Sequence, residues 1–261
     1  MKQKQYKIVL NLILNIRKKM PKAGTRKLYK HLKNELLINN IKMGRDALFN
    51  LLRSYGMLVK KTRRFHITTN SNHFFFKSPN LLKELEITHA EQVFVADITY
   101  IKIDRGHAYL ALVTDAYSKK IMGWKLDDNM KVSLVKQALE MAHNNRIYKH
   151  KNVIHHSDRG IQYCCPDYST FAEKKDFILS TTQQYDPYEN AVAERINGIL
   201  KYEFGLINTI KSIEIAQKMI KQTVQIYNNE RLHWSLELKT PQSVHLNFNQ
   251  QKVKSYAKKS A

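Results

Sequence analysis

Three carboxylates stand where carboxylates are unusual. Asp97 lies inside VFVADITYIKI, residues 93–103, a β-branched and aromatic run that reads as a buried strand. A charge in such a strand is costly unless it is paired or binds a cation. Asp158 follows a short apolar segment and sits in HHSDRG, residues 155–160, a strand end entering a Gly-containing loop, where site residues are common. Glu194 sits in DPYENAVAERINGILKYE, residues 186–203. Turn chemistry opens that stretch, and a run of helical period follows, with Ala191, Ile196 and Leu200 apolar and Ala193 and Ile199 beside them. Glu194, Asn197 and Lys201 recur at helical spacing, so an acid, an amide and a cation share a second face. A polar helix face alone is usually just solvated. Sixty residues separate Asp97 from Asp158, and 35 separate Asp158 from Glu194.

Asp97, Asp158 and Glu194 at this spacing resemble the D, D-35-E triad of retroviral integrases and related transposases. The surrounding words narrow the resemblance. ADITYI, LALVTDAYSKKIMGW, HHSDRGIQYCC, YENAVAERINGILKYE and YNNERLHWSLELKTPQSVH are similar to the second-frame (orfB) product of the large two-frame group of bacterial insertion sequences, the IS-three group. The likeness runs over residues 22–246. Glu189 departs from it, since the family more often has Asp there.

The resemblance implies an enzyme, a DNA transposase that cleaves DNA strands and transfers them. It would free a 3′-OH at the element's end, join that end to the other end of the same strand, and later insert the resulting circle into a target. Crowded like charges repel, and two divalent cations offset that cost. Carboxylates holding two hard ions ~4 Å apart can clamp the attacking and leaving oxygens of an in-line phosphoryl transfer. Asp97 would bridge both ions, with Asp158 and Glu194 each holding one. Mg2+ is the expected ion and Mn2+ its substitute. Asp115 also ends a strand and competes for a place in the triad. The family words and the spacing favour Asp158, which leaves Asp115 a structural, loop-capping role. Asn197 and Lys201 would face entering DNA. His156 could touch DNA or be a plain buried histidine.

Composition fits this reading. The chain has 261 residues and a formal net charge of +22, with 44 Lys+Arg against 22 Asp+Glu. A field of that sign favours nucleic acid as partner. Residues 1–66 hold 18 basic side chains against only Glu35 and Asp46. The front of the chain therefore reads as a DNA-gripping module. The two cysteines are adjacent, with no second pair, which suits a reducing interior. His143 and His150 lack paired cysteines, so no structural zinc site is expected. Residues 1–20 imitate a signal peptide. Asn11, Asn15 and a following basic cluster favour an amphipathic helix instead, and no stretch is long enough to span a bilayer.

The elements that must position the acids follow in order. Two helices are expected over 25–37, capped by Thr25, and over 44–55, closed by Gly56. The second turns Leu48, Leu51 and Leu52 inward and Arg45, Asn50 and Arg53 outward. In so basic a setting this pair suggests a helix-turn-helix whose Arg45 and Arg53 bind DNA. A plain hairpin packed on the enzyme core is the alternative. Lys60 to Thr88 reads as a linker, in which Phe74-Phe75-Phe76 would dock on a neighbouring domain or subunit, with aromatic stacking on exposed bases as the alternative. Strands are expected at 93–103, 107–114, 119–126, 152–156 and 177–181. Helices are expected at 131–146, 163–175 and 187–206, then at 212–228 with Ile215, Met219, Ile220 and Val224 apolar. The last of these would pack on the core, with a frayed basic tail after 248.

This order gives an α/β fold, a mixed five-stranded sheet with flanking helices, ribonuclease H-like by resemblance, behind a small all-α helix-turn-helix-like domain. The expected divisions are 1–66, 67–90, 91–207 and 208–261. The expected partners are double-stranded DNA, both element ends and target, further copies of the chain in the DNA complex, and an upstream-frame product. No membrane is expected, and the place is the bacterial cytoplasm, at the nucleoid. A nuclease or recombinase without strand joining, or a non-catalytic DNA-binding protein with a decayed core, are the competing readings.

Overall fold

The structure, a computed structural model, describes residues 2–60, 74–149, 152–183 and 190–247. The Lys61–Arg64 part of the charge run, the turn at 70–72, His150, residues 186–189 and the tail after 247 lie outside the described residues.

Five strands form one sheet in the order β3-β2-β1-β4-β5. β1 (Val93–Ile103), β2 (Gly106–Asp115) and β3 (Ile121–Asp127) form an antiparallel meander. β4 (Val153–Ser157) and β5 (Phe177–Thr181) continue on the other side of β1 in parallel. β1 is therefore central, and its alternating side chains serve two cores. Phe94 and Ala96 face α4 (Val132–Asn144) and its neighbours through Leu134, Ala138 and Tyr168. Ile101 faces the other way, into a cluster with Ile196, Ile199 and Leu200 of α7 (Ala191–Tyr202).

On the first face, α4 lies hard against β3 at Gly123. A Cβ there would stand 2.1 Å from the Ala138 carbonyl and 2.6 Å from the Ala142 nitrogen. Only glycine permits so close a backbone approach. The expected helix over 163–175 is broken into α5 (Ile161–Cys164) and α6 (Pro166–Glu173). Pro166 pushes the residue before it out of helical conformation, and Cys165 has ψ 146°.

On the second face, α1 (Lys2–Lys19), α2 (Thr25–Ile38) and α3 (Arg45–Ser54) join the same apolar cluster as the sheet. Val9, Ile13, Leu28, Leu32, Leu48 and Leu52 are buried in it beside Leu110, Phe204 and Tyr227. The front helices thus share one apolar cluster with the sheet, α7 and the residues of 213–229. Their expected inward and outward faces are as the spacing predicts, but the N-cap of α2 is Gly24 and Thr25 is its buried first residue. Gly56, at φ +64°, follows α3 in the left-handed conformation that favours glycine.

Three attachments close the molecule. The segment before β1 is packed, with Leu82, Leu85 and Ile87 against Val93, Val95 and Ala193. Thr181 Oγ1 donates to the Ser78 carbonyl, and the Leu81 N–H to Ser180 Oγ. Phe74 and Phe76 stand exposed. α8 (Ile213–Asn229) covers the sheet edge, where Asn228 accepts from the Ile121 N–H and donates to its carbonyl, each at 2.9 Å. Ile220 and Val224 are buried as expected, while Ile215 is exposed. α9 (Pro241–Leu246) is fixed through His245, whose ring is within 3.2 Å of Glu91 and 3.0 Å of Ser118 Oγ.

The hub between the front helices and α7 is Glu203. Its carboxylate accepts from Lys27 Nζ of α2 at 2.9 and 3.0 Å and from the Arg231 guanidinium at 2.7 and 3.1 Å. Its carbonyl accepts from the Lys22 N–H.

Candidate active site

Strand register sets the first two acids side by side. Ser157 of β4 pairs with Ala96 of β1, so Asp158, one residue on, emerges level with Asp97. Asp97 points to the α7 face of the sheet. A short loop follows Asp158, whose Oδ1 accepts the Gly160 N–H at 3.0 Å. A Cβ on residue 160 would stand 3.1 Å from that same oxygen, so glycine keeps the turn open for the carboxylate.

Two amides lay α7 across Asp97. Asn190, at the helix N-cap, donates from Nδ2 to the Ala96 carbonyl at 3.1 Å. Asn197, two turns on, donates from Nδ2 to Asp97 Oδ2 at 2.7 Å. The other carboxylate oxygen of Asp97 accepts the Ile98 N–H at 2.9 Å. Ala193, Ile196, Ile199 and Leu200 supply the buried side of α7, whereas Ala191 is exposed. Glu194 stands on the exposed side, one turn before Asn197.

The electrostatics record the convergence. Burial pushes the Asp97 carboxyl up, the Asp158 charge adds to this, and Glu194 adds less. The hydrogen bonds from Asn197 and Ile98 oppose them, and the outcome is about 8. Glu194 is also raised, by burial and then by the Asp158 charge. Each acid feels another, as a shared site requires. Burial lowers Lys201, and the Asp97 charge opposes that lowering, so its ammonium belongs to the same neighbourhood.

Among the described residues, no three His, Cys, Asp or Glu side chains are gathered into a ready metal-binding group. The expected closing of the three carboxylates into one ligand set is therefore not seen. Like charges repel, and Glu194 stands out on the exposed face of its helix. The donor chemistry nevertheless fits a hard divalent cation, since carboxylate oxygens are its usual ligands and Asp97 is short of positive charge.

The other candidates fall out as follows. Asn197 is buried against Asp97, where the sequence placed it toward solvent and DNA. Asn190, read in the sequence only as part of a turn, tethers the helix that carries Glu194. Its signal was its place four residues before that acid, at a helix start. Asp115 caps a loop, accepting the Glu91 N–H, the Ser118 N–H and the Ser118 hydroxyl at 2.6, 2.6 and 2.7 Å. His156 is fully buried, with Nδ1 2.8 Å from Ser180 Oγ. Arg45 and Arg53 are exposed on α3, beside Asp46 at 3.0 Å and Asn50 at 2.9 Å respectively.

The chain is similar to known proteins over most of its length. Residues 87–187 and 176–241 match the integrase core domain. An uncharacterized 31 kDa protein of insertion element IS600 from Shigella sonnei is 34% identical over 241 residues, 91% of this chain and 88% of that protein. The transposase for insertion sequence element IS629, also from Shigella sonnei, is 28% identical over 209 residues, 80% of this chain and 69% of that one. Among solved structures, a chain of the simian T-cell lymphotropic virus intasome, in complex with PP2A regulatory subunit B56 gamma, aligns at a TM-score of 0.52 and 16% identity. That alignment covers 85% of this chain and 70% of the viral one, and it supports the fold. A strand–strand–helix convergence of acids, on a sheet of integrase-core topology, thus occurs in a sequence that insertion-element proteins share almost end to end, and the chain belongs to the insertion-sequence transposases of the integrase-core (DDE) superfamily, enzymes that transfer polynucleotide strands.

Proposed function

We propose that Asp97, Asp158 and Glu194 are the catalytic carboxylates and the metal ligands of this transposase, acting on the double-stranded DNA of its element's ends and of a target. The observation that carries the assignment is their convergence from β1, the end of β4 and α7, such that the charges of Asp158 and Glu194 both raise Asp97. Mg2+, with Mn2+ as substitute and two ions to a site, would supply neutralisation of the acids and stabilisation of charge on the attacking and leaving oxygens. Asp97, whose carboxyl feels the charges of both other acids, would share both ions. Asn197 holds the Asp97 carboxylate in orientation through Oδ2. Lys201, two turns beyond Glu194 on α7, meets the DNA backbone as it enters. Arg45 and Arg53 add phosphate contacts from α3. Copies of the chain assemble on the DNA, with or without fusion to an upstream-frame product, in the bacterial cytoplasm at the nucleoid.

Asp158→Asn and Glu194→Gln should each abolish cleavage of an end-containing duplex while leaving its binding nearly intact. A gel cleavage assay beside fluorescence anisotropy reads both. Cleavage at the wild-type rate in either variant would overturn the assignment.

A further inference from the structure

A cleft of ≈ 360 Å³ opens on the front face, remote in sequence from the acids. It falls at the lower end of the size range of small-molecule pockets. α2 contributes Arg26 and Lys27, α3 contributes Phe49, the segment after α3 contributes Leu58, and the 3₁₀ turn Trp234–Leu236 contributes Trp234. Trp234 is 57% exposed, an unusual state for an indole flanked by packed elements. Arg26 stacks over its ring, 5.5 Å from the centroid, and so holds it as a fixed platform. Phe49 lies four residues from Arg45 and four from Arg53, so the three share one face of α3. The aromatic lining of the cleft is thus bordered by arginines on both sides.

Lys27, pinned by Glu203, ties the cleft floor to the C-terminal end of α7. Glu194 lies nine residues earlier on that helix, roughly 14 Å along its axis at 1.5 Å per residue.

We propose that this cleft takes an unstacked base of the bound DNA, laid on the Trp234 ring, while Arg26, Arg45 and Arg53 meet the flanking phosphates. Bases stack on aromatic rings without regard to sequence, and a basic border follows the backbone. The proposal rests on DNA being the substrate, and it adds that the protein captures a nucleotide outside the duplex stack.

The test uses two probes with the full chain, in the absence of divalent metal. One is a blunt-bodied duplex with a short single-stranded thymidine overhang. The other is the same duplex with abasic residues in the overhang. The wild type should bind the thymidine probe about tenfold more tightly than the abasic one, the scale of one base stacked on an aromatic ring. Trp234→Ala should bring that ratio close to one, and Trp234→Phe should largely preserve it. A general loss of folding would weaken both probes together and leave the ratio in place. A wild-type ratio near one, or an unchanged ratio in Trp234→Ala, overturns the proposal. So does a Trp234→Ala variant that alters sedimentation while keeping the ratio, since the surface would then be a contact between copies. If neither probe binds at all, the DNA-substrate reading fails. If both bind equally, only the base site fails.

Discussion

Glu91 and Asp97 lie six residues apart, at the threshold and the middle of the same strand, Glu91 buried and Asp97 half-buried. Burial pushes each carboxyl upward, yet they end on opposite sides of the ordinary range. Glu91 is held below it, because His245 and the N–H groups of Ile147 and Tyr148 outweigh burial. The Arg146 guanidinium adds a cation at 3.4 Å. Asp97 has two hydrogen bonds and two acids for neighbours, and rises to about 8. The contrast separates two uses of a buried acid. Where donors and cations saturate the carboxylate, it ties elements together, here α9, the α4–β4 loop and the start of β1. Where like charges surround it, the carboxyl rises instead, and added positive charge would lower it.

Glu91→Gln should produce the largest effect, since it leaves the Arg146 charge buried without its partner. Breaking a buried pair costs about 3–5 kcal/mol, which denaturant unfolding would show, while cleavage per folded molecule stays near wild type. A cost below about 1 kcal/mol would mean that this network is not the structural member of the pair. Asp97→Asn should act the other way. Cleavage should fall by at least about a hundredfold, the scale for losing one group that stabilises transition-state charge, while chelator-treated protein should be no less stable than wild type. An Asp97→Asn protein that unfolds as readily as Glu91→Gln would erase the distinction.

The pH response sharpens the same contrast with a smaller effect. The unfolded-state value for both carboxyls is about 4. Asp97 is raised in the folded state, so its contribution is fully present below about pH 4 and is lost as pH rises towards its folded value of about 8. Glu91 is depressed, so its contribution is present above about pH 4 and is lost as pH falls through its folded value. Thermal unfolding under chelator should therefore show Asp97→Asn flattening the loss between about pH 4 and 8. Mg2+ should raise the melting temperature more at pH 8 than at pH 6, with about 2.7 kcal/mol expected at a hundred times its Kd. An equal rise at both pH values would argue that the ion binds elsewhere.

Much of the fold was legible in the sequence because the signals were local. β-branched runs marked β1 and β5 at their observed limits, and apolar spacing marked the inner faces of α2 and α3. That Asp158 and Glu194 lie within electrostatic reach of Asp97 agrees with their spacing and the surrounding family words, whereas the expected closing of the three into one ligand set is not met among the described residues. What stayed hidden depends on contacts between distant residues. His245 and Glu91 are 154 residues apart, and Lys27 and Glu203 are 176 apart. No window of sequence shows that these groups meet. Asn197 was read as facing outward because Glu194 and Lys201 share its face, yet the backbone of α7 lies close enough to β1 for the short amide to turn inward. The break in the expected helix over 163–175 has a local cause in Pro166, which disfavours helical backbone at Cys165.

The pairing of Ser157 with Ala96 has a consequence for how far such a chain can drift. Asp158 is placed by β4 lying beside β1, and Glu194 by the tether of α7 to β1, so neither depends on the length of chain between them. Insertions between β5 and α7 would be met mainly as loop-closure entropy, about 0.6 kcal/mol for each doubling of the loop. A slip of β4 by one residue against β1 would instead turn its side chains to the opposite face. The 35-residue interval is thus free to lengthen without moving either acid, whereas the register of β4 on β1 is not free to shift.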